Sequence, residues 1–155
     1  MPHFDYACLA LIDISASLDI KLRRLLNACI RYIFQLPSDA ALRPYYTRLD
    51  WLLSSQRRDY FLNILTFKVL NGLCPDYISN LYHWTGNEVR RSARIAGGAP
   101  TIEVPFADSS TLKSGFFIRA ANAWNALPAQ LRSSGSLASF KSLLGYYLRR
   151  HHNAQ

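Results

Sequence analysis

The chain has 155 residues, half of them hydrophobic and 13% aromatic, with a formal net charge of +8 from 18 Lys and Arg against 10 Asp and Glu. That length fits one domain with a single core, and the apolar content excludes a disordered or fibrous chain. No apolar run reaches the ~20 residues needed to cross a bilayer, and the basic excess favours nucleic acid over a membrane as partner.

The opening stretch, residues 4–14, is apolar with aspartates at both ends and reads as a strand or a short buried helix. It lacks a basic leader and carries Asp5 and Asp13, so it does not read as a signal peptide. The first helix is expected over 18–35, with Ser17 as N-cap and Pro37 as its stop. Leu18, Leu22, Leu25, Cys29 and Ile33 form its apolar stripe, broadened by Leu26 and Ile30. Lys21, Arg24 and Arg31 fall on another side as a solvated face. Pro44 opens a short helical stretch through Tyr45, Tyr46 and Leu49.

A central helix follows over 55–71, capped by Ser54 or Ser55 and stopped by Asn71-Gly72. Its rows Tyr60, Ile64, Phe67 and Phe61, Leu65 make it apolar on most sides. Pro75 starts another short turn of helix through Ile78 and Leu81. From about His83 to Pro100, Gly, Ser and Arg replace the large apolar residues, which marks an exposed basic loop. TIEVPF then alternates like a strand, giving a small β-hairpin near 101–114. Helix returns over 115–126 with Phe117, Ala121 and Trp124 on one row, and Pro128 restarts a short turn. Ser136 caps the last helix, 137–150, striped by Leu137, Phe140, Leu143, Leu144, Tyr147 and Leu148.

The expected fold is therefore a single mainly α domain of about five to six helices with that small hairpin. Its parts are a helical portion over 1–86, the basic loop and hairpin over 87–114, and C-terminal helices over 115–155.

No catalytic constellation emerges. Phe106-Ala107-Asp108-Ser109 imitates the aromatic-Ala-Asp-Asp turn of polymerases, but Ser109 stands where the second metal-binding carboxylate belongs. His3, His83, His151 and His152 do not pair with Cys8, Cys29 or Cys74 at zinc spacing, so no metal or other cofactor is expected. The odd, scattered cysteines argue against a secreted disulfide framework and place the chain inside a cell. The serines fall at helix starts and linkers, and Gly97-Gly98 runs into Pro100 rather than a helix, so no phosphate cradle forms. The basic positions carry the one functional signal. These are Arg57, Arg58, Arg90, Arg91, Arg94, Lys113, Arg119, Arg149 and Arg150, candidates for RNA or single-stranded DNA. Trp51 and Trp124 read as structural anchors rather than stacking platforms.

Several segments share their order and spacing with one family. They are the helix Leu25 to Ile33, Leu49 to Leu52, the pair Arg57-Arg58, Lys68 to Tyr77, and Phe116 to Pro128 with its Trp124-Asn125-Ala126-Leu127-Pro128 turn. Behind the turn comes the Ser139-Phe140-Lys141 helix start. Together they resemble the C-terminal, post-polymerase region of jockey-like non-long-terminal-repeat retrotransposon reverse transcriptases. The chain departs from that pattern at Leu53, where Pro is usual, and at Asp108, where Arg is usual.

The resemblance implies a piece without palm, fingers or endonuclease, as 5′ truncation of such an element would leave it. In the parent polymerase this region would hold template RNA or target DNA, with Trp51, Trp124, Asn125 and Pro128 as structural anchors. The expectation is a non-catalytic fragment that retains affinity for RNA or single-stranded DNA. The alternative is a helical module that binds protein, or itself, through exposed apolar helix faces, its charge being incidental.

Overall fold

The computed structural model describes Asp5, residues 8–81, 101, 102 and 104, and residues 115–151. Among the described residues the fold is mainly α, with seven helices after a 3-10 turn at Cys8–Leu11 and no strand. The helices are α1 (Ala16–Phe34), α2 (Arg43–Arg48), α3 (Ser54–Leu70), α4 (Asp76–Leu81), α5 (Phe116–Asn125), α6 (Ala129–Arg132) and α7 (Leu137–His151). The chain divides into two compact units, Met1–Arg58 and Asp59–Gln155, with the division inside α3. Of the expected hairpin, Thr101, Ile102 and Val104 are described and none lies in a strand; the rest of 101–114 lies outside the described residues.

Helix ends follow local chemistry, with some differences from expectation. Ser15, not Ser17, caps α1: its hydroxyl accepts the Leu18 N–H, and Ser17 bonds the Ser15 hydroxyl instead. At α3 neither serine caps. The Gln56 side chain reaches back to the Leu53 N–H at 3.1 Å, and Ser54 is turned toward Asp19. Ser136 caps α7 as expected, accepting the Ser139 N–H at 3.2 Å.

Three helices end in the same paired wrap, in which a left-handed residue lets two successive N–H groups return to the last-turn carbonyls. Gln35 does this for α1, Asp50 for α2 and Gly72 for α3. At Gly72 the bonds are Gly72 N–H to the Val69 carbonyl and Leu73 N–H to the Lys68 carbonyl, 3.2 and 2.8 Å. Gly72 was the readable case because glycine takes φ of +67° without a Cβ penalty.

In the first unit, Leu26 and Ile30 are the fully buried line of α1. Tyr46 of α2 is buried and donates its hydroxyl to the Asn27 Oδ1 at 2.8 Å, which ties α2 to α1. Phe34 stacks at a tilt against Tyr45, and the Arg48 guanidinium lies over the Phe34 ring. The stripe read from the sequence is only partly interior: Leu18, Leu25 and Ile33 are exposed. The period was right, but the buried face is rotated by about one position toward Leu26 and Ile30.

In the second unit, Ile64 and Phe67 of α3, Ala121 and Trp124 of α5, Leu127, Leu131 of α6, and Phe140 and Leu144 of α7 form one core with Ile102. Phe67 and Phe140 stack with centroids 4.5 Å apart, and Trp124 closes the trio at 5.6 Å from Phe140. Of the polar residues buried in α3, Thr66 donates its hydroxyl to the Leu62 carbonyl and Asn63 donates its Nδ2 to the Asp59 carbonyl, each one turn back, while the Asn63 Oδ1 is buried without a partner. On α5 the expected row places Ala121 and Trp124 inward, but Phe117 is exposed and Ala120 takes a buried place.

Candidate nucleic-acid interface

The Trp-Asn-x-Leu-Pro run is a packing device. Trp124 and Leu127 enter the core from the end of α5 and the turn after it. Asn125 between them clamps Ile102 in both directions. Its Oδ1 accepts the Ile102 N–H at 2.8 Å, and its Nδ2 donates to the Ile102 carbonyl at 2.6 Å. The amide thus pairs with both backbone groups of a buried residue, as a strand partner would. Pro128, exposed with φ of −54° and ψ of 145°, ends the turn and starts α6. Arg132 closes the loop by donating its Nε to the Leu127 carbonyl at 3.0 Å. Trp51 is half-buried, and its backbone N–H donates to the Tyr46 carbonyl at 3.0 Å.

Arg57 and Arg58 open α3 in the first unit, each with a carboxylate. Arg57 donates Nε and Nη2 to the Asp5 Oδ1, and Arg58 donates Nη2 to the Asp19 Oδ1 at 2.7 Å. Asp19 also accepts the Ser54 hydroxyl. Both guanidiniums are mostly covered, with side-chain exposures of 16% and 12%. They hold the start of α3 to the opening segment and to α1. Beside them lies a cavity of about 210 Å³ lined by Cys8, Leu11, Leu22, Leu26 and Ser54 with the two arginines. Burial there pushes the Cys8 thiol above its ordinary value, with the Asp5 charge adding to the rise and Arg57 and Arg58 opposing it.

In the second unit the described candidates are Arg119 on α5 and Arg149 and Arg150 on α7. Arg119 is half-buried. Arg149 folds back over Gly145, where an added methyl would sit 3.5 Å from Nη1 and Nη2. Its charge also partly offsets the burial that raises the Tyr60 hydroxyl. Arg150 is exposed, and its guanidinium lies 5.4 Å from the centre of the Tyr146 ring, itself 56% exposed. Lys141 is exposed on the same helix. Arg90, Arg91, Arg94 and Lys113 lie outside the described residues.

Each unit treats its described cations differently. The first ties Arg57 and Arg58 to acids, and the second leaves α7 with an exposed cation–aromatic pair. Tyr146 is not among the positions singled out by sequence, although its place four residues before Arg150 is a readable signal. Asp19, in the first turn of α1, and Asp5, 52 residues before Arg57, carry no local signal of their pairing. Among the described residues no group of three His, Cys, Asp or Glu could share a metal ion, and no helix is long and apolar enough to cross a membrane.

No protein-family model, no curated protein and no solved structure matches this chain.

Proposed function

We propose that the chain is a non-catalytic, C-terminal region of a retrotransposon-type reverse transcriptase that binds single-stranded RNA or DNA. The observation that carries the binding is the Tyr146–Arg150 pair, an exposed aromatic ring with an exposed cation over one of its faces. A single strand is held by charge on its phosphates and by stacking of its bases, and this pair offers both within one helical turn. The net charge of +8 draws polyanions to the surface generally. Family membership rests on the resemblance of the segments from Leu25 to Lys141, and the loop cations Arg90, Arg91 and Arg94 remain part of the proposal.

The test is fluorescence anisotropy of a labelled single-stranded oligouridylate titrated with the full chain at several salt concentrations. Binding should weaken steeply with salt, because each phosphate contact releases counterions. Tyr146→Ala should weaken it roughly tenfold, as loss of one stacked base does, and Arg150→Ala should also flatten the salt slope. The Arg90, Arg91, Arg94→Ala variant measures the share of the loop. A folded chain that does not bind at low salt, or whose binding ignores all these substitutions, refutes the proposal.

A further inference from the structure

The exposed face of α1 carries a pattern that its own unit does not use. Leu18, Leu22, Leu25, Cys29 and Tyr32 follow one another at spacings of four, three, four and three residues. That is the 3.5-residue repeat by which one helix packs its side chains into the gaps of another. Leu18, Leu25 and Tyr32 are 48%, 55% and 79% exposed, while Leu22 and Cys29 are half-buried. The buried line of the helix, Leu26 and Ile30, lies beside this seam rather than on it. Ile33, 51% exposed, widens the seam at its C-terminal end. Arg23, Arg24 and Arg31 occupy the positions of the repeat that point away from such a contact, and Lys21 is the one cation of α1 that flanks it.

We infer that α1 pairs with α1 of a second copy of this chain, forming a weak two-fold dimer. Such a seam calls for a helix with the same spacing. Among the described helices, α1 is the one that shows it over five exposed or half-exposed positions. The helix has 19 residues, so it is roughly 28 Å long, enough for two heptads in register. Covering Leu18, Leu25, Tyr32 and Ile33 on both copies removes on the order of 1,000 Å² of surface, the lower end of what specific interfaces bury. The helix is already folded against its own unit, so association need not pay for helix formation. The interface falls in the size range of weak, transient association, so the dissociation constant is expected at about 10–100 μM. This inference is independent of nucleic-acid binding, because the seam lies in the first unit and the Tyr146–Arg150 pair in the second.

Sedimentation equilibrium of the full chain, free of nucleic acid, at about 5 to 300 μM tests the inference across that range. The expected result is a reversible monomer–dimer curve that Leu25→Lys weakens at least tenfold with unchanged far-UV circular dichroism. Tyr32→Glu, at the most exposed seam position, should do the same if Leu25→Lys impairs folding. A chain monomeric throughout the range, a larger assembly, or a dimer indifferent to both substitutions overturns the inference.

Discussion

Asn125→Asp is the sharpest test of how the second unit is held together, because it changes chemistry without changing size. Asn125 gives Ile102 both an acceptor and a donor, at 2.8 and 2.6 Å, and Ile102 is buried. An ionised carboxylate keeps the bond from the Ile102 N–H but has nothing to donate to the Ile102 carbonyl. The carbonyl then loses its bond and faces a negative oxygen. Orphaning one buried acceptor costs about 1–3 kcal/mol, and the opposed charge adds to that. Asn125→Asp should therefore cost about 2–3 kcal/mol at pH 7, a large part of the 5–15 kcal/mol typical of whole domains. Asn125→Ala should cost a similar amount or less, since the half-buried site lets water reach the freed groups. Urea unfolding followed by both circular dichroism and tryptophan fluorescence reads the difference, provided the slope with urea is unchanged. If Asn125→Asp lies within about 0.5 kcal/mol of the parent, well below the orphaning cost, the amide is a space-filler and the clamp is not a stabilising element.

Gly72 and Gly145 should respond in opposite directions to substitution by Ala. Gly72→Ala meets no atom within 4 Å, so its cost is backbone strain at φ +67° alone, about 1 kcal/mol in the same urea assay. Gly145→Ala sits inside α7 with the flexible Arg149 guanidinium as its nearest neighbour at 3.5 Å, and should stabilise by about 0.5–1 kcal/mol. Asp19→Ala removes the partner of Arg58 and of Ser54, a pair neither fully exposed nor fully buried, and should cost about 1–2 kcal/mol. A double-mutant cycle with Arg58→Ala should then show coupling near 1 kcal/mol, and additive effects would show that the pair is idle. Burial raises Cys8, Tyr46 and Tyr60 above their ordinary values of 9.0, 10.0 and 10.0. Groups raised on folding stabilise fully below their unfolded values and cease to do so as pH rises through the folded ones. The melting temperature should therefore fall from about pH 9 upward, where an unfolded thiol begins to ionise, and a level profile to pH 11 would contradict the burial of these three groups.

What could be read from the sequence was what periodicity and punctuation record. The four longer helices, the Ser136 cap, the Gly72 stop and the restart after Pro128 each rest on residues within a few positions of the feature they specify. Stops at Gln35 and Asp50 were harder to see, because a non-glycine residue in the left-handed region leaves no compositional mark. Ser15 and Ser17 were equally good caps by type. Only backbone geometry, extended at Ser15, distinguishes them. The partners of the basic residues were least legible of all. Asp5 and Asp19 reach Arg57 and Arg58 across 52 and 39 positions, and charge counted along a chain does not reveal which cations acids have already taken.

That difference bears on what the Trp-Asn-x-Leu-Pro run can say about activity. Trp124 and Leu127 are core residues, Asn125 satisfies a buried backbone, and Pro128 sets the start of α6. Every position of the run except Ala126 has a structural role, and none presents a charge or an exposed aromatic face. A likeness carried by this run is therefore a likeness of fold, since any protein that builds this turn needs these residue types whether or not it touches nucleic acid. The proposed affinity for a strand therefore rests on residues outside the run. Arg57 and Arg58 are engaged by carboxylates. Tyr146 with Arg150 is then a described place where a cation and an exposed aromatic ring meet. The prediction that separates fold from activity is accordingly a pair of measurements. Asn125→Asp should lower stability and leave the affinity of the folded fraction for oligouridylate unchanged, whereas Tyr146→Ala should lower that affinity and leave stability within about 0.5 kcal/mol.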